Sequence, residues 1–207
     1  MKELIQKLID KGYLKSDRII NAFQEIQRKD FVPEKYKDQA SKNFPISIGE
    51  GQTISQPLTV AFMLELLSPQ KGDKVLDIGS GSGWVTALLA HIVGKKGKVF
   101  ALERIKKLKE FGRENVSKYN FVKSDRVKFY LQSGYKGLEE KAPFDRIHIA
   151  AAAYKVPENL IKQLKIGGKM IIPIRKNNDL ILITKTKKGI DRKSFHGFTF
   201  VPLVKDS

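Results

Sequence analysis

Short apolar runs alternate with amphipathic stretches from residue 74 onward. Runs of this kind, bounded by turn residues, are typical of buried strands, and the stretches between them have the periodicity of helices. The predicted strands are 75–78, 98–103, 127–131, 144–149, 169–174 and 180–184, and the predicted helices are 84–93, 105–119 and 157–164. Strands that alternate with helices indicate right-handed crossovers and a parallel sheet. No long helix is predicted between the strands after Gly168, which indicates antiparallel strands at one edge.

The amino-terminal part of the chain has a different pattern. Residues 1–28 predict two short amphipathic helices separated by Gly12 and Tyr13. Their apolar positions are Leu4, Ile5, Leu8 and Ile9, then Ile19, Ile20, Phe23 and Ile26. Residues 35–52 predict an irregular loop that is long enough to suggest a functional role. A further helix is expected over 57–67, with Ser55 near its amino-terminal cap.

The segment 75–83, with the sequence VLDIGSGSG, joins the first of these buried strands to a helix. Glycines in such a loop allow a ligand to approach the backbone closely. Dinucleotide-binding loops have the spacing G-x-G-x-x-G, whereas Trp84 occupies the place of their third glycine here. The spacing therefore favours S-adenosylmethionine over NAD. Glu103 ends the next strand, where a carboxylate can accept hydrogen bonds from two ribose hydroxyls.

Length and composition favour one α/β domain that does not span a membrane. The chain has 207 residues, of which 41% are hydrophobic and 29% charged. No apolar run reaches the length of roughly 18 residues that a membrane span needs. Charged residues interrupt the amino terminus, which therefore does not resemble a secretory signal, and a cytoplasmic location is expected.

The absence of cysteine limits the chemistry that the chain can perform. With zero cysteines, disulfides, thiolate metal sites and cysteine nucleophiles are excluded. No metal-ligand spacing is visible elsewhere, and no metal is expected. The net charge of +17 would attract anionic partners such as nucleic acids. The lysines are spread along the chain without arginine–aromatic interleaving, however, so a solvated surface is favoured over a nucleic-acid-binding face.

A second motif lies upstream of the glycine loop. The segment 48–57, IGEGQTISQP, resembles the signature of the protein-L-isoaspartate O-methyltransferases, which repair isoaspartyl damage in proteins. The resemblance covers nearly the whole chain. Its other parts are 28–33 (RKDFVP), 144–148 (FDRIH), the helix and turn from Val156 to Gly168, and 200–203 (FVPL), which resembles the last strand of the family.

The resemblance implies a Rossmann-like fold with a seven-stranded, mostly parallel sheet. It implies a single methyltransferase domain, with residues 1–56 as a helical extension and substrate-side loop and 57–207 as the core. The implied reaction transfers a methyl group from S-adenosylmethionine to the α-carboxylate of an L-isoaspartyl residue. The expected acceptors are isoaspartyl peptides and proteins, and a monomer is expected.

The resemblance also implies roles for individual residues. Ser55 takes the place of the active-site serine, and Thr53 is implied with it as a catalytic residue that lines the methyl-transfer site. The residues implied to bind the cofactor are Ile54, Ser55, Asp77, Gly79, Ser80, Gly81, Gly83, Glu103, Arg104, Ser133 and Gly134. A carboxylate acceptor is already ionised at neutral pH, so no general base is needed, and Ser55 is assigned to positioning.

The sequence departs from the family pattern at several positions. Asn43 stands where the family has an aspartate, Ser133 replaces the aspartate of a Gly-Asp-Gly segment, and Arg175 replaces a glycine. These positions belong to the substrate and adenine sides. Two alternatives therefore remain open: a tRNA adenine methyltransferase, and a catalytically silent relative that only binds the cofactor.

Overall fold

The computed structural model describes residues 1–204 and is built around a seven-stranded sheet. The strands of this sheet are β3 (Lys74–Ile78), β4 (Lys98–Glu103), β5 (Val127–Leu131), β6 (Phe144–Ile149), β7 (Leu164–Ile174), β8 (Asp179–Thr186) and β9 (Gly189–His196). Their order across the sheet is β5-β4-β3-β6-β7-β8-β9. The first five strands in this order are parallel, and β8 and β9 continue the sheet antiparallel.

Within the described part of the chain, six α-helices accompany the sheet. They are α1 (Lys2–Asp10), α2 (Asp17–Glu25), α3 (Pro57–Leu67), α4 (Trp84–Val93), α5 (Lys106–Ser117) and α6 (Glu158–Gln163). The two predicted amino-terminal helices are confirmed as α1 and α2, whose inward faces are apolar. Phe23 of α2 packs edge-on against Trp84 of α4, with their ring centroids 5.5 Å apart. Within residues 1–204, no helix combines the length and apolarity that crossing a bilayer requires.

Alternating side chains of the central strands belong to two different hydrophobic clusters. Val75 and Val99 belong to the cluster that includes the residues of α1 to α4, whereas Leu76 and Phe100 belong to a second cluster with Leu160 of α6. Successive side chains in a strand point to opposite faces of the sheet, so the two clusters cover its two faces. Burial on both faces explains why these strands have continuous apolar runs.

Two parts of the chain differ from the expectations. Residues 35–52, expected to be irregular, include most of a short 3-10 helix (Glu34–Gln39) and the beginning of a separate antiparallel hairpin, β1 (Ile46–Gly49) and β2 (Gln52–Ile54). The prediction that residues 200–203 form the last strand is wrong. The seventh strand of the sheet is β9. The segment 200–203 instead lies over the loop after β6, with only an isolated bridge between Ala152 and Pro202.

Candidate functional site

The sheet has a topological switch point between β3 and β6, because the chain proceeds outward from β3 to β5 and then returns to the other side of β3. Ligands of open α/β sheets bind beyond the carboxyl ends of the strands at such a point. A cavity of about 190 Å³ lies there, which we call the inner cavity. Its wall contains parts of 52–55 (the end of the hairpin), 78–82 (the glycine loop), 102–105 (the end of β4) and 201–204 (the carboxyl-terminal segment).

The three glycines of the loop after β3 have two different roles. All three have positive φ, with values of 77° at Gly79, 51° at Gly81 and 86° at Gly83. Gly79 and Gly81 line the inner cavity. Gly83 does not line it; a Cβ on Gly83 would lie 2.8 Å from the carbonyl oxygen of Gly112 in α5. Contrary to expectation, Gly83 therefore allows α5 to pack against the loop.

Glu103 lies at the end of β4 with its carboxylate in the wall of the inner cavity. Its Oε2 accepts a hydrogen bond from the Gly81 N–H and its Oε1 accepts one from the Ile105 N–H, both at 3.0 Å. Each carboxylate oxygen can accept more than one hydrogen bond. The carboxylate is thus fixed by the backbone and can still accept two hydroxyl groups of a ligand.

Asp77 lies behind the inner cavity and is not among the residues of its wall, so the cavity gives no support to its predicted contact with a cofactor. It is fully buried, and its Oδ2 accepts the hydrogen bond of the Thr86 hydroxyl at 2.5 Å. Its Oδ1 lies 2.8 Å from Nδ1 of His148, the residue opposite it in β6. Both oxygens are therefore engaged, and Asp77 ties β3 to α4 and β6 beneath the glycine loop.

A second depression, which we call the outer groove, adjoins the inner cavity. It has a volume of about 870 Å³ and lies between the start of α3 and the segment 195–201. Four residues line both spaces: Thr53, Ser55, Ala150 and Val201. Ser55, which follows β2 directly, therefore stands at the border between the two, and its hydroxyl has no hydrogen-bond partner among residues 1–204.

The backbone of Ser55 is held by a buried arginine. Arg28 is 1% exposed, and its Nη2 donates hydrogen bonds to the carbonyl oxygens of Ser55 at 3.1 Å and Phe44 at 2.9 Å. Its Nη1 donates to the carbonyls of Ala40 at 3.2 Å and Lys42 at 3.1 Å. Burial lowers the pKa of Arg28 to about 10, so the guanidinium stays charged at neutral pH.

The positions that depart from the family pattern have structural partners. Asn43 accepts the Leu58 N–H with its Oδ1 at 3.0 Å, and so caps the start of α3 from outside the helix. Ser133 does not line the inner cavity, contrary to expectation; its hydroxyl donates to the Val204 carbonyl at 3.0 Å. Its neighbours Gln132 and Gly134 do line the cavity. Arg175 lies over the ring of Tyr154, 5.6 Å from its centroid.

Nine of the twelve predicted site residues line the inner cavity. They are Thr53, Ile54, Ser55, Gly79, Ser80, Gly81, Glu103, Arg104 and Gly134. The sequence reasoning missed the carboxyl-terminal segment as part of the wall. This segment is fixed by hydrogen bonds from the Ala152 N–H to the Val201 carbonyl at 2.7 Å and from the Leu203 N–H to the Ala152 carbonyl at 2.8 Å. Its FVPL motif is the available signal in the sequence, where it predicts a strand and not part of a cavity wall.

Comparison with known proteins shows the family to which the chain belongs. The sequence model of the protein-L-isoaspartate(D-aspartate) O-methyltransferases matches residues 1–207. The chain belongs to the protein-L-isoaspartate O-methyltransferase family. A relative of that name from Methanopyrus kandleri is 44% identical over 206 residues, which cover 98% of this chain and 90% of the relative. Another from Aeropyrum pernix is 43% identical over 204 residues, covering 97% and 78%.

The fold of this chain is also found in a solved relative. A Plasmodium falciparum protein assigned to the same family, crystallised with S-adenosyl-L-homocysteine, superposes with a TM-score of 0.88. It is 32% identical and covers 99% of this chain, which covers 98% of it. The predicted Rossmann-like architecture with an antiparallel edge is thereby confirmed, and so is the resemblance carried by the GQTISQP segment.

Proposed function

We propose that the inner cavity binds S-adenosylmethionine, that the outer groove binds the isoaspartyl peptide, and that Ser55 positions the acceptor carboxylate between them. The observation that carries this proposal is the border at Thr53, Ser55, Ala150 and Val201, where the two spaces meet. A donor and an acceptor bound on the two sides of this border would face each other, as methyl transfer requires.

The inner cavity fits an adenosyl group in two respects. Glu103 offers a fixed carboxylate for the two ribose hydroxyls, which is how acidic residues at this position of the fold hold nucleosides. Ser80 lines the cavity, and its buried hydroxyl has no hydrogen-bond partner among the residues that the structure describes. A buried polar group without a partner is costly, so a ligand that bonds this hydroxyl would be favoured.

Little acid–base chemistry is required of the protein. When bound, S-adenosylmethionine supplies a methyl group on a sulfonium sulfur, and this group moves to a carboxylate oxygen with release of neutral S-adenosylhomocysteine. The acceptor carboxylate is ionised at neutral pH, so no proton must be removed from it. Ser55 donates a hydrogen bond that orients the carboxylate. The positive end of the α3 dipole, which begins at Pro57, favours the same anion.

The test is methyl transfer with tritium-labelled S-adenosylmethionine. We expect base-labile, volatile label with an isoaspartyl peptide, as methyl esters give, and none with the matched peptide that contains normal aspartate. Stable label in bulk tRNA would instead favour the adenine methyltransferase. Saturable cofactor binding by calorimetry without transfer to either acceptor would favour the silent relative, and would overturn the proposal.

Replacing Glu103 with alanine is expected to weaken S-adenosylmethionine binding by roughly 10- to 100-fold, because hydrogen bonds to a charged group are lost. Calorimetry measures the dissociation constant directly. Glu140→Ala, which removes an exposed carboxylate outside the inner cavity, is the matched control and should leave the constant unchanged. An unaltered constant in Glu103→Ala would remove Glu103 from the binding site.

A further inference from the structure

The outer groove is lined by aromatic rings that are only partly buried. Phe62 of α3 lies at their centre. The ring of Phe198 stacks on it at 5.3 Å with an interplanar angle of 10°, and Phe195 meets it edge-on at 5.3 Å. Tyr13 meets it edge-on from the α1–α2 connection at 6.4 Å. The rings pack on one another and on the core, yet each keeps a surface toward the groove.

The groove is also uncharged in a strongly basic protein. The chain has 39 Lys and Arg and 22 Asp and Glu among its 207 residues. None of these four residue types lines the groove within residues 1–204. Its one imidazole, His196, is held by Asp179 with Nδ1 and Oδ1 2.6 Å apart. Neutral polar side chains, among them Gln56, Thr59 and Thr199, complete the wall beside the rings. Rings without a fixed charge nearby favour an apolar side chain and penalise a charged one, which would lose its hydration there.

The groove continues directly into the place where transfer is proposed. Ser55 and Thr53 belong to its wall, so the groove is the space that adjoins an isoaspartyl carboxylate held at Ser55 when the inner cavity holds the cofactor. The occupant is thus a part of the acceptor peptide itself. This continuity is what separates the groove from an apolar surface of unknown purpose.

We infer that the outer groove is a specificity subsite that takes an aromatic or bulky aliphatic residue next to the isoaspartyl residue of the acceptor. This inference rests on the proposed function. It predicts that the enzyme prefers damaged sites from apolar segments, which are buried in folded proteins and become accessible when a protein unfolds. A surface-exposed isoaspartyl residue flanked by charges would be a poor acceptor.

The test uses two series of isoaspartyl peptides that differ at one position, directly before or directly after the isoaspartyl residue. Each series contains Phe, Leu, Gly, Glu and Lys at that position. In at least one series we expect kcat/KM to be about 10- to 100-fold higher for Phe than for Glu or Lys, as expected for burial of one aromatic side chain. Equal kcat/KM across both series would overturn the inference while leaving methyl transfer itself intact.

A substitution in the outer groove tests whether the groove causes the preference for Phe beside the isoaspartyl residue. Phe198→Glu introduces a charge beside Phe62, and we expect it to remove most of the preference for Phe and to raise kcat/KM for the Lys peptide. Ile166→Glu is the matched control, because Ile166 is 58% exposed and lies outside both spaces. It should keep the preference of the parent chain. Cofactor affinity, measured by calorimetry, should be the same in all three proteins, which excludes unfolding as the cause.

A second copy of the chain is the competing occupant of the outer groove. Sedimentation at increasing protein concentration distinguishes the two. A monomer that shows the flank preference supports the inference. A dimer that Phe198→Glu dissociates, together with no flank preference in the parent chain, would assign the groove to self-association and overturn it.

Discussion

Replacing Ser55 with alanine is expected to reduce turnover of an isoaspartyl peptide by roughly 10- to 100-fold, with little change in the dissociation constant of S-adenosylmethionine. The lost group is a hydroxyl that, in the proposed mechanism, hydrogen-bonds an anionic acceptor, and bonds to charged groups contribute about 1.5–3 kcal/mol. Cofactor affinity is spared because Glu103 and the glycine loop belong to other elements of the inner cavity.

Three measurements separate this role from a structural one. Single-turnover kinetics report the transfer step, calorimetry reports cofactor binding, and thermal unfolding reports stability. Ser55→Thr keeps the hydroxyl and should recover part of the rate. Ser117→Ala removes an exposed hydroxyl of α5 that donates a hydrogen bond to the Arg113 carbonyl, and it should behave as the parent chain. Full turnover in Ser55→Ala would remove Ser55 from the reaction.

The sequence predicted the central strands because each is buried on both faces. The runs that became β3 and β4 are mostly apolar, and β6 has apolar residues at Phe144, Ile147 and Ile149. Their alternation with α4 and α5 required a parallel arrangement. It did not predict β9, whose residues are nearly all exposed. A two-sided exposed strand such as Asp191–Arg192–Lys193 has no apolar periodicity from which it could be recognised.

For the carboxyl-terminal segment, the sequence predicts a strand that the structure does not contain. Phe200, Val201 and Leu203 have the composition of a strand, yet they are apolar because they cover the inner cavity and the outer groove. Local hydrophobicity reports burial and does not report which partner buries a residue. The partner here is the loop after β6, about 50 residues away, at Ala152.

The candidate site was predictable at the level of the backbone and less so for individual side chains. The glycine loop and Glu103 come together in the structure because strand ends at a switch point converge by topology. The direction of Asp77 was not predictable, since it depends on His148 in a strand 71 positions later. Ser133 likewise donates to the Val204 carbonyl, and the residues around Ser133 in the sequence do not predict this partner.

Arg28 is the clearest case of a residue whose importance only the structure reveals. In the sequence it precedes Lys29 and Asp30 and looks like part of a charged surface. In the structure its guanidinium is buried, lies 5.3 Å from the centroid of the Trp84 ring, and has no carboxylate partner within residues 1–204. Its acceptors are backbone carbonyls, which are present at every position and give no sequence signal.

Replacing Arg28 with methionine is therefore expected to destabilise the protein by roughly 3 kcal/mol, because buried carbonyl oxygens lose their donors and such losses cost about 1–3 kcal/mol each. Several of these carbonyls can bind water in the variant, so the total loss of stability is smaller than the sum of the four individual losses. For a chain of this size, the melting temperature should fall by roughly 6–12 °C. Lys29→Met is the matched control, since Lys29 is the exposed neighbour and should leave the melting temperature unchanged.

The same variant should also affect catalysis, because Arg28 holds the carbonyl of Ser55 together with the loop at 40–44. We expect kcat/KM for the peptide to fall at temperatures where the variant is fully folded, while cofactor affinity changes less. Arg28→Lys should be intermediate, since an ammonium group has three donors and cannot span four carbonyls on two segments. If Arg28→Met melted like the parent chain, the four hydrogen bonds could not be what fixes Ser55 in place.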